Sequence, residues 1–189
     1  MRRATREPAP SCPASRDASA SLKGITIVTE RDLKISIPSI DFEFVVRMHW
    51  DDAPVTCQAV WDFLETPLTN PTNHSVFSGY EFYLYCPAVD LALENHTVHP
   101  KPGQFIYYYL QPGRNAGNIA HKVNLEGSPK EAAEIAIWYG EGELRRMTEL
   151  DVRGNLFASI DERHEELFTK GYRTLGEGRQ IATISRYEH

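Results

Sequence analysis

Glu94-Asn95 sets a carboxylate beside an amide, between an apolar run and the turn Pro100-Lys101-Pro102-Gly103. Aimed outward, the pair could bind a ligand through a charge, a donor and an acceptor. Aimed inward, both side chains would hold the turn through backbone groups, as Asx residues commonly do. His74 and His96-x-x-His99 offer imidazoles, and Ser78-Gly79 a hydroxyl beside a flexible joint. The histidines fall in loop-like sequence without an accompanying carboxylate triad, which points to hydrogen-bonded or surface histidines and to no metal. Arg145-Arg146 follows Tyr139-Gly140-Glu141-Gly142. Two adjacent guanidiniums beside a Gly-rich turn could grip a carboxylate or phosphate, or pair with Glu141, Glu143 and Glu149. Tyr107-Tyr108-Tyr109 places Tyr108 on the face opposite its neighbours, so one face is core and the other is groove lining or an oligomer contact. No Gly-x-Ser-x-Gly elbow occurs, Gly140-x-Gly142 is too short for a nucleotide loop, and no cofactor is implied.

The elements that must position these groups are mostly strands. Phe42, Phe44, Val46, Met48 and Trp50 alternate with Glu43, Val45, Arg47 and His49, a period of two that marks a half-buried strand. Asp52 is placed to cap a following helix, and Pro54 suits its first turn. Cys57, Val60, Trp61 and Leu64 then form an apolar stripe at helical spacing. Further strands are predicted over 25–29, 33–37, 74–77, 80–86, 89–93, 104–110, 134–139, 156–160 and 180–186, with a second helix over 162–175. Residues 111–133 read as a long excursion with a capping pattern at Ser128-Pro129-Lys130-Glu131, and 140–153 as loop.

The chain has 189 residues, 41% of them hydrophobic, enough for one domain with a sizeable core. Its net charge of −6 hides an asymmetry: residues 1–24 carry +3, which leaves −9 for the rest. An acidic body repels phosphate backbones, which argues against nucleic acid. Residues 1–21 are rich in Pro, Ala, Ser and Arg and are expected to be a disordered tail, with a single domain over 22–189. Cys12, Cys57 and Cys86 form no Cys-x-x-Cys pair and suit a reducing, cytoplasmic setting. No apolar run approaches the roughly 18–20 residues that span a bilayer, and no membrane association is expected.

Two stretches, Asp52-Ala53-Pro54-Val55-Thr56 with Val60 and Leu150-Asp151 with Phe157-Ala158, resemble the opening and closing strand–helix units of cyclophilins. The chain looks more like a bacterial family of cyclophilin-like domains of unknown function. The matching features are Ala53-Pro54-Val55-Thr56-Cys57, Glu94-Asn95-His96-Thr97, Ile137-Trp138-Tyr139-Gly140 and Gly154-Asn155-Leu156-Phe157-Ala158. The resemblance implies a closed antiparallel β-barrel of about eight strands with two capping α-helices. It implies no prolyl isomerase activity, because Ser75, Glu149 and Gly154 stand where that reaction needs an Arg, a Trp and a His. In the related family the region of Arg146 borders a groove, which favours Arg146 over Arg145 as a ligand contact.

The expected function is binding of a small anionic or amide-bearing ligand in a surface groove. Glu94, Asn95, Tyr139 and Arg146 are expected to converge there, with His74, Ser78 and Tyr108 nearby. Two other readings stand beside it: a small hydrolase or isomerase using a Glu/His acid–base pair, and a structural subunit of a homo-oligomer.

Overall fold

The alternation of Phe42, Phe44, Val46 and Met48 has the consequence expected of it: all four are buried, while Glu43, Val45 and Arg47 are exposed. The structure, a computed structural model, describes residues 31–75, 78–110, 132–144 and 153–188. The tail, the strand expected at 25–29, most of the excursion and Arg145-Arg146 lie outside the described residues.

Strand β1 (Arg31–Ile37) turns through a short 3-10 segment into β2 (Phe42–Met48). Helix α1 (Pro54–Phe63) follows, with Pro54 in its first turn and Cys57, Val60 and Trp61 buried. Asp52 does not cap it. Ala53 holds the cap position without a side-chain bond, and the Glu94 carboxylate instead accepts the Thr56 N–H at 2.5 Å. At the other end Arg186 donates to the Trp61 carbonyl from Nε (2.9 Å) and Nη2 (2.6 Å). Its guanidinium lies 4.8 Å from the centre of the Trp61 ring. A cation at a helix C-terminus and over an indole is favourable on both counts.

The chain continues through β3 (Leu68–Pro71), β4 (Asn73–His74), β5 (Gly79–Cys86), β6 (His96–Thr97), β7 (Gln104–Leu110), β8 (Ala132–Gly142) and β9 (Gly154–Ser159). Helix α2 (His164–Gly176) and β10 (Ile181–Glu188) complete it. No strand forms at 89–93. Pro87 ends β5, and the Tyr107 hydroxyl takes the Val89 N–H at 2.7 Å, so a side chain does the work of a ladder partner. Gly140 and Gly142, expected in a loop, end β8.

The ten strands form one antiparallel sheet in the order β3-β10-β1-β2-β9-β7-β8-β5-β4, with β6 on β9. The expected closed barrel of about eight strands is not what the described pairings give: β3 and β4 are the sheet's two ends. Only Thr72 separates them in the chain. Thr72 donates its N–H to the Gln180 carbonyl and takes the Gln180 N–H on Oγ1, which binds this corner to β10's side. β3 therefore pairs with β10 and β4 with β5.

The main core lies between one face of the sheet and the helices, from Leu33 and Phe44 to Phe82, Phe157 and Leu167. Gly171 lets α2 approach closely, since a Cβ there would sit 2.5 Å from the Tyr139 ring. Among the described residues no helix is long and apolar enough to cross a membrane.

Candidate functional site

Four strands, β5, β8, β7 and β9, carry side chains that are buried on both faces of the sheet. Phe82, Leu84, Phe105, Tyr107, Ile135, Ile137 and Tyr139 point into the main core. The alternate residues build a second cluster of Ile106, Tyr108, Ala136, Trp138 and Leu144, with Tyr83, Tyr85, Val98 and Leu156 packed against it.

Four of the residues expected at a site, Glu94, Asn95, His74 and Tyr139, lie on or beside the inner face. Glu94 gives its N–H to Asn155 Oδ1 at 3.1 Å and places its carboxylate on α1, as above. Asn155 Nδ2 donates to Thr56 Oγ1 and to the Ala92 carbonyl, both at 2.9 Å. Asn95, at φ 42, donates from Nδ2 to the Leu156 carbonyl at 2.8 Å. These groups tie the 87–97 segment to α1 and β9. Tyr139 is elsewhere: its hydroxyl meets His74 Nε2 at 2.5 Å, under the α2 ring of Phe168. His74 Nδ1 lies 2.5 Å from the Ser75 carbonyl, which can only accept, so Nδ1 carries the proton and Nε2 accepts from Tyr139. Burial lowers the His74 pKa and keeps the ring neutral. The expected convergence of Glu94, Asn95 and Tyr139 is thus not what the described contacts give, and no Glu94–His pair forms among them. The reason is that each side chain is consumed by a long-range structural bond. Arg146 lies outside the described residues.

The outer face differs in kind. Glu81 faces Trp138 across β5 and β8, Tyr83 faces Ala136, and Tyr85 faces Glu134. On the other side of β8, Ile106 faces Ala136 and Tyr108 faces Glu134. Ala136 is therefore the small floor of a ring of aromatic and acidic side chains. Two glycines make room for the rings. A Cβ on Gly142 would lie 1.8 Å from Trp138, and one on Gly154 2.4 Å from Tyr108. A register shift between Gly79 and Glu81, with Gly79 at φ +126, directs Glu81 onto this face.

Glu81 is 4% exposed. Burial pushes its pKa up to about 7, against the Ser78 hydrogen bond. Glu134 keeps part of its surface at solvent, yet lost hydration and the neighbouring Glu81 charge push it up to about 8. Ser78 Oγ donates to Glu81 Oε2 at 2.7 Å and is itself in contact with Ser75 Oγ. Tyr108 is 3% exposed and Trp138 fully buried, and among the described residues neither Tyr108 Oη nor Trp138 Nε1 has a hydrogen-bond partner. Desolvation, then the two carboxylates, hold the Tyr108 phenol far above its usual range. The neighbouring Trp138 N–H opposes that rise without meeting hydrogen-bond geometry. Buried donors are nearly always partnered, which sets these two, beside two carboxyl groups, apart from the rest of the buried polar atoms.

Residues 35–186 match the family described as a protein of unknown function, DUF3830. The chain belongs to that family. No curated protein matches it. Among solved structures, one titled "Structure of McbB in complex with tryptophan" is similar in fold, with a TM-score of 0.55 and 13% identity. The match covers 81% of this chain and 44% of that one, so the chain spans less than half the length of its structural neighbour.

Of the residues singled out from the sequence of this DUF3830 chain, Tyr108 and Ser78 lie at the outer-face cluster. Glu81, Glu134 and Trp138 were not singled out. The signal that could have found them is a carboxylate sharing the two-residue period of Tyr83 and Tyr85, and another sharing that of Ala136 and Trp138.

Proposed function

We propose that this protein is a cyclophilin-like binder of a small organic nitrogen compound, an amide or amine, held on the outer face over Ala136. The observation that carries this reading is the pair of buried, unpartnered donors, Tyr108 Oη and Trp138 Nε1, beside Glu81 and Glu134. A ligand with an acceptor atom satisfies the phenol and indole. Its N–H groups satisfy the carboxyls. Tyr83 and Tyr85, edge to face at 5.6 Å, supply apolar wall. An amide-bearing ligand meets both demands. An anion meets only the first and is opposed by the carboxyls. The neighbour of like fold was solved with tryptophan.

The test is saturation-transfer NMR with tryptophanamide, tryptamine and indole-3-acetate. Tryptophanamide or tryptamine should bind more tightly than the acid, and Glu81→Gln with Trp138→Phe should abolish the preference. Equal binding of all three, or none of any, would end this reading. Cys57, whose thiol is pushed up to about 12 by burial, fits a reducing cytoplasm.

A second reading, assembly into a homo-oligomer, is favoured by the exposed rings of Tyr80, Phe168 and Tyr172 around α2. Sedimentation as a monomer at high concentration would remove it.

A further inference from the structure

The two oxygens of the buried Glu81 carboxyl have separate surroundings. Oε2 accepts from Ser78 Oγ at 2.7 Å. Ser78 Oγ touches Ser75 Oγ, either of which can be the donor. Ser75 keeps part of its surface in solvent, whereas Ser78 is 5% exposed. The two hydroxyls thus form a continuous path from the buried carboxyl to water. Oε1 has no hydrogen-bond partner among the described residues. It belongs to the strand position that faces Trp138, in the ring of Tyr83 and Tyr108. Aromatic faces and a carboxylate together are the chemistry that holds an organic ammonium ion.

Resting on the binding reading above, we propose that this site exchanges a proton for an organic cation. A primary ammonium ion docks against Glu81 Oε1 and the surrounding rings, and the proton leaves by Ser78 and Ser75. The balance is simple. In the protonated acid the Glu81 Oε2–H donates to Ser78 Oγ, the reverse of the hydrogen bond the carboxylate accepts from Ser78, and that O–H bond breaks as the proton passes to Ser78 Oγ. The Ser78 proton passes to Ser75, and the Ser75 proton passes to water. The carboxylate left behind pairs with the ammonium, one charge entering and one leaving. With its pKa near 7, Glu81 holds a proton to exchange at neutral pH. The titratable groups facing Glu81 are Glu134 on β8 and the phenols of Tyr83 and Tyr108, with Tyr139 on the opposite face of the sheet feeling its charge more weakly. Among the described residues no Lys or Arg pairs with Glu81. The path avoids expelling a bare charge through the aromatic cluster, where desolvation would oppose it.

The experiment uses the full chain and tryptamine, with benzylamine as a smaller probe. Calorimetry in two buffers of different ionisation enthalpy counts protons released on binding, and stopped-flow with a pH indicator times them. In the parent protein a proton should be released near neutral pH, in step with binding. Glu81→Gln should lose that release. Ser78→Ala should move the pH midpoint of release upward by about one unit or more, the size of a lost hydrogen bond to a charged acceptor. Ser78→Thr should restore it, and Ser75→Ala should make release lag behind binding. Failure of both amines to bind would overturn the proposal; binding of indole-3-acetamide, an amide without an amine, would then leave the ligand-binding reading standing. Amine binding without proton release, release unchanged in Glu81→Gln, or timing and midpoint unchanged in both serine variants would overturn the exchange alone.

Discussion

The two faces of the β5-β8-β7-β9 sheet treat polar atoms in opposite ways. On the inner face Glu94, Asn155, Thr56, His74, Tyr139 and Tyr107 are hydrogen-bonded to named partners. On the outer face Tyr108 and Trp138 are as deeply buried and have none among the described residues. A satisfied buried network stabilises and fixes a fold, while an unsatisfied one costs stability. The contrast separates scaffold from site more sharply than residue type does, since glutamates and tyrosines occur on both faces.

The largest test of that division is Asn155→Ala. Its side chain accepts from Glu94 N and donates to Thr56 Oγ1 and the Ala92 carbonyl. Removing it strands three groups, each worth about 1–3 kcal/mol when buried unpaired. Urea unfolding should show a loss of about 3 kcal/mol or more. A loss below about 1 kcal/mol would mean that the 87–97 segment is not anchored as described.

The next is a pH effect. A carboxyl whose folded pKa is raised binds more protons in the native state than in the unfolded one. Stability from this source is complete below the unfolded value near 4.5 and is lost as pH rises to the folded value of about 7. For Glu81 the loss is on the order of 3 kcal/mol, and Glu134 acts in the same direction. Unfolding of the parent chain should therefore become easier across that window, and Glu81→Gln should flatten the slope. An equal slope in the variant would place the Glu81 carboxylate in water, like an ordinary surface acid.

How much of this was legible in the sequence follows from the range of each interaction. The alternation in β2 and the stripe of α1 are local, and both elements formed where the pattern put them. Glu94 and Asn95 left two readings open because their partners, Thr56 and Leu156, lie 38 and 61 positions away. Asp52 looked like the α1 cap because it is adjacent, and the actual carboxylate arrives from a distant turn. Glu81 and Glu134 were missed for another reason. A Glu that alternates with apolar residues reads as the solvent face of a half-buried strand, and a period of two cannot show that the second face is covered as well. Strand ends could not be joined into a topology either. Whether β3 and β4 pair with each other or with β10 and β5 depends on the corner at Thr72, which no periodicity encodes.

The smallest expected effect is the most discriminating, because adjacent residues should move in opposite directions. Tyr107 and Tyr108 are both 3% exposed. The Tyr107 hydroxyl accepts from Val89 N at 2.7 Å and donates to the Val89 carbonyl at 2.9 Å, so Tyr107→Phe strands backbone groups and should cost about 1–2 kcal/mol. The Tyr108 hydroxyl has no partner, so Tyr108→Phe removes a desolvation penalty and leaves the ring's packing intact. The ligand-free variant should be unchanged or more stable by up to about 1 kcal/mol, yet weaker in binding tryptophanamide. Paired urea titrations of the two variants decide it. A loss in Tyr108→Phe equal to that in Tyr107→Phe would show that the outer phenol is already satisfied in solution, and the division between scaffold face and site face would fall with it.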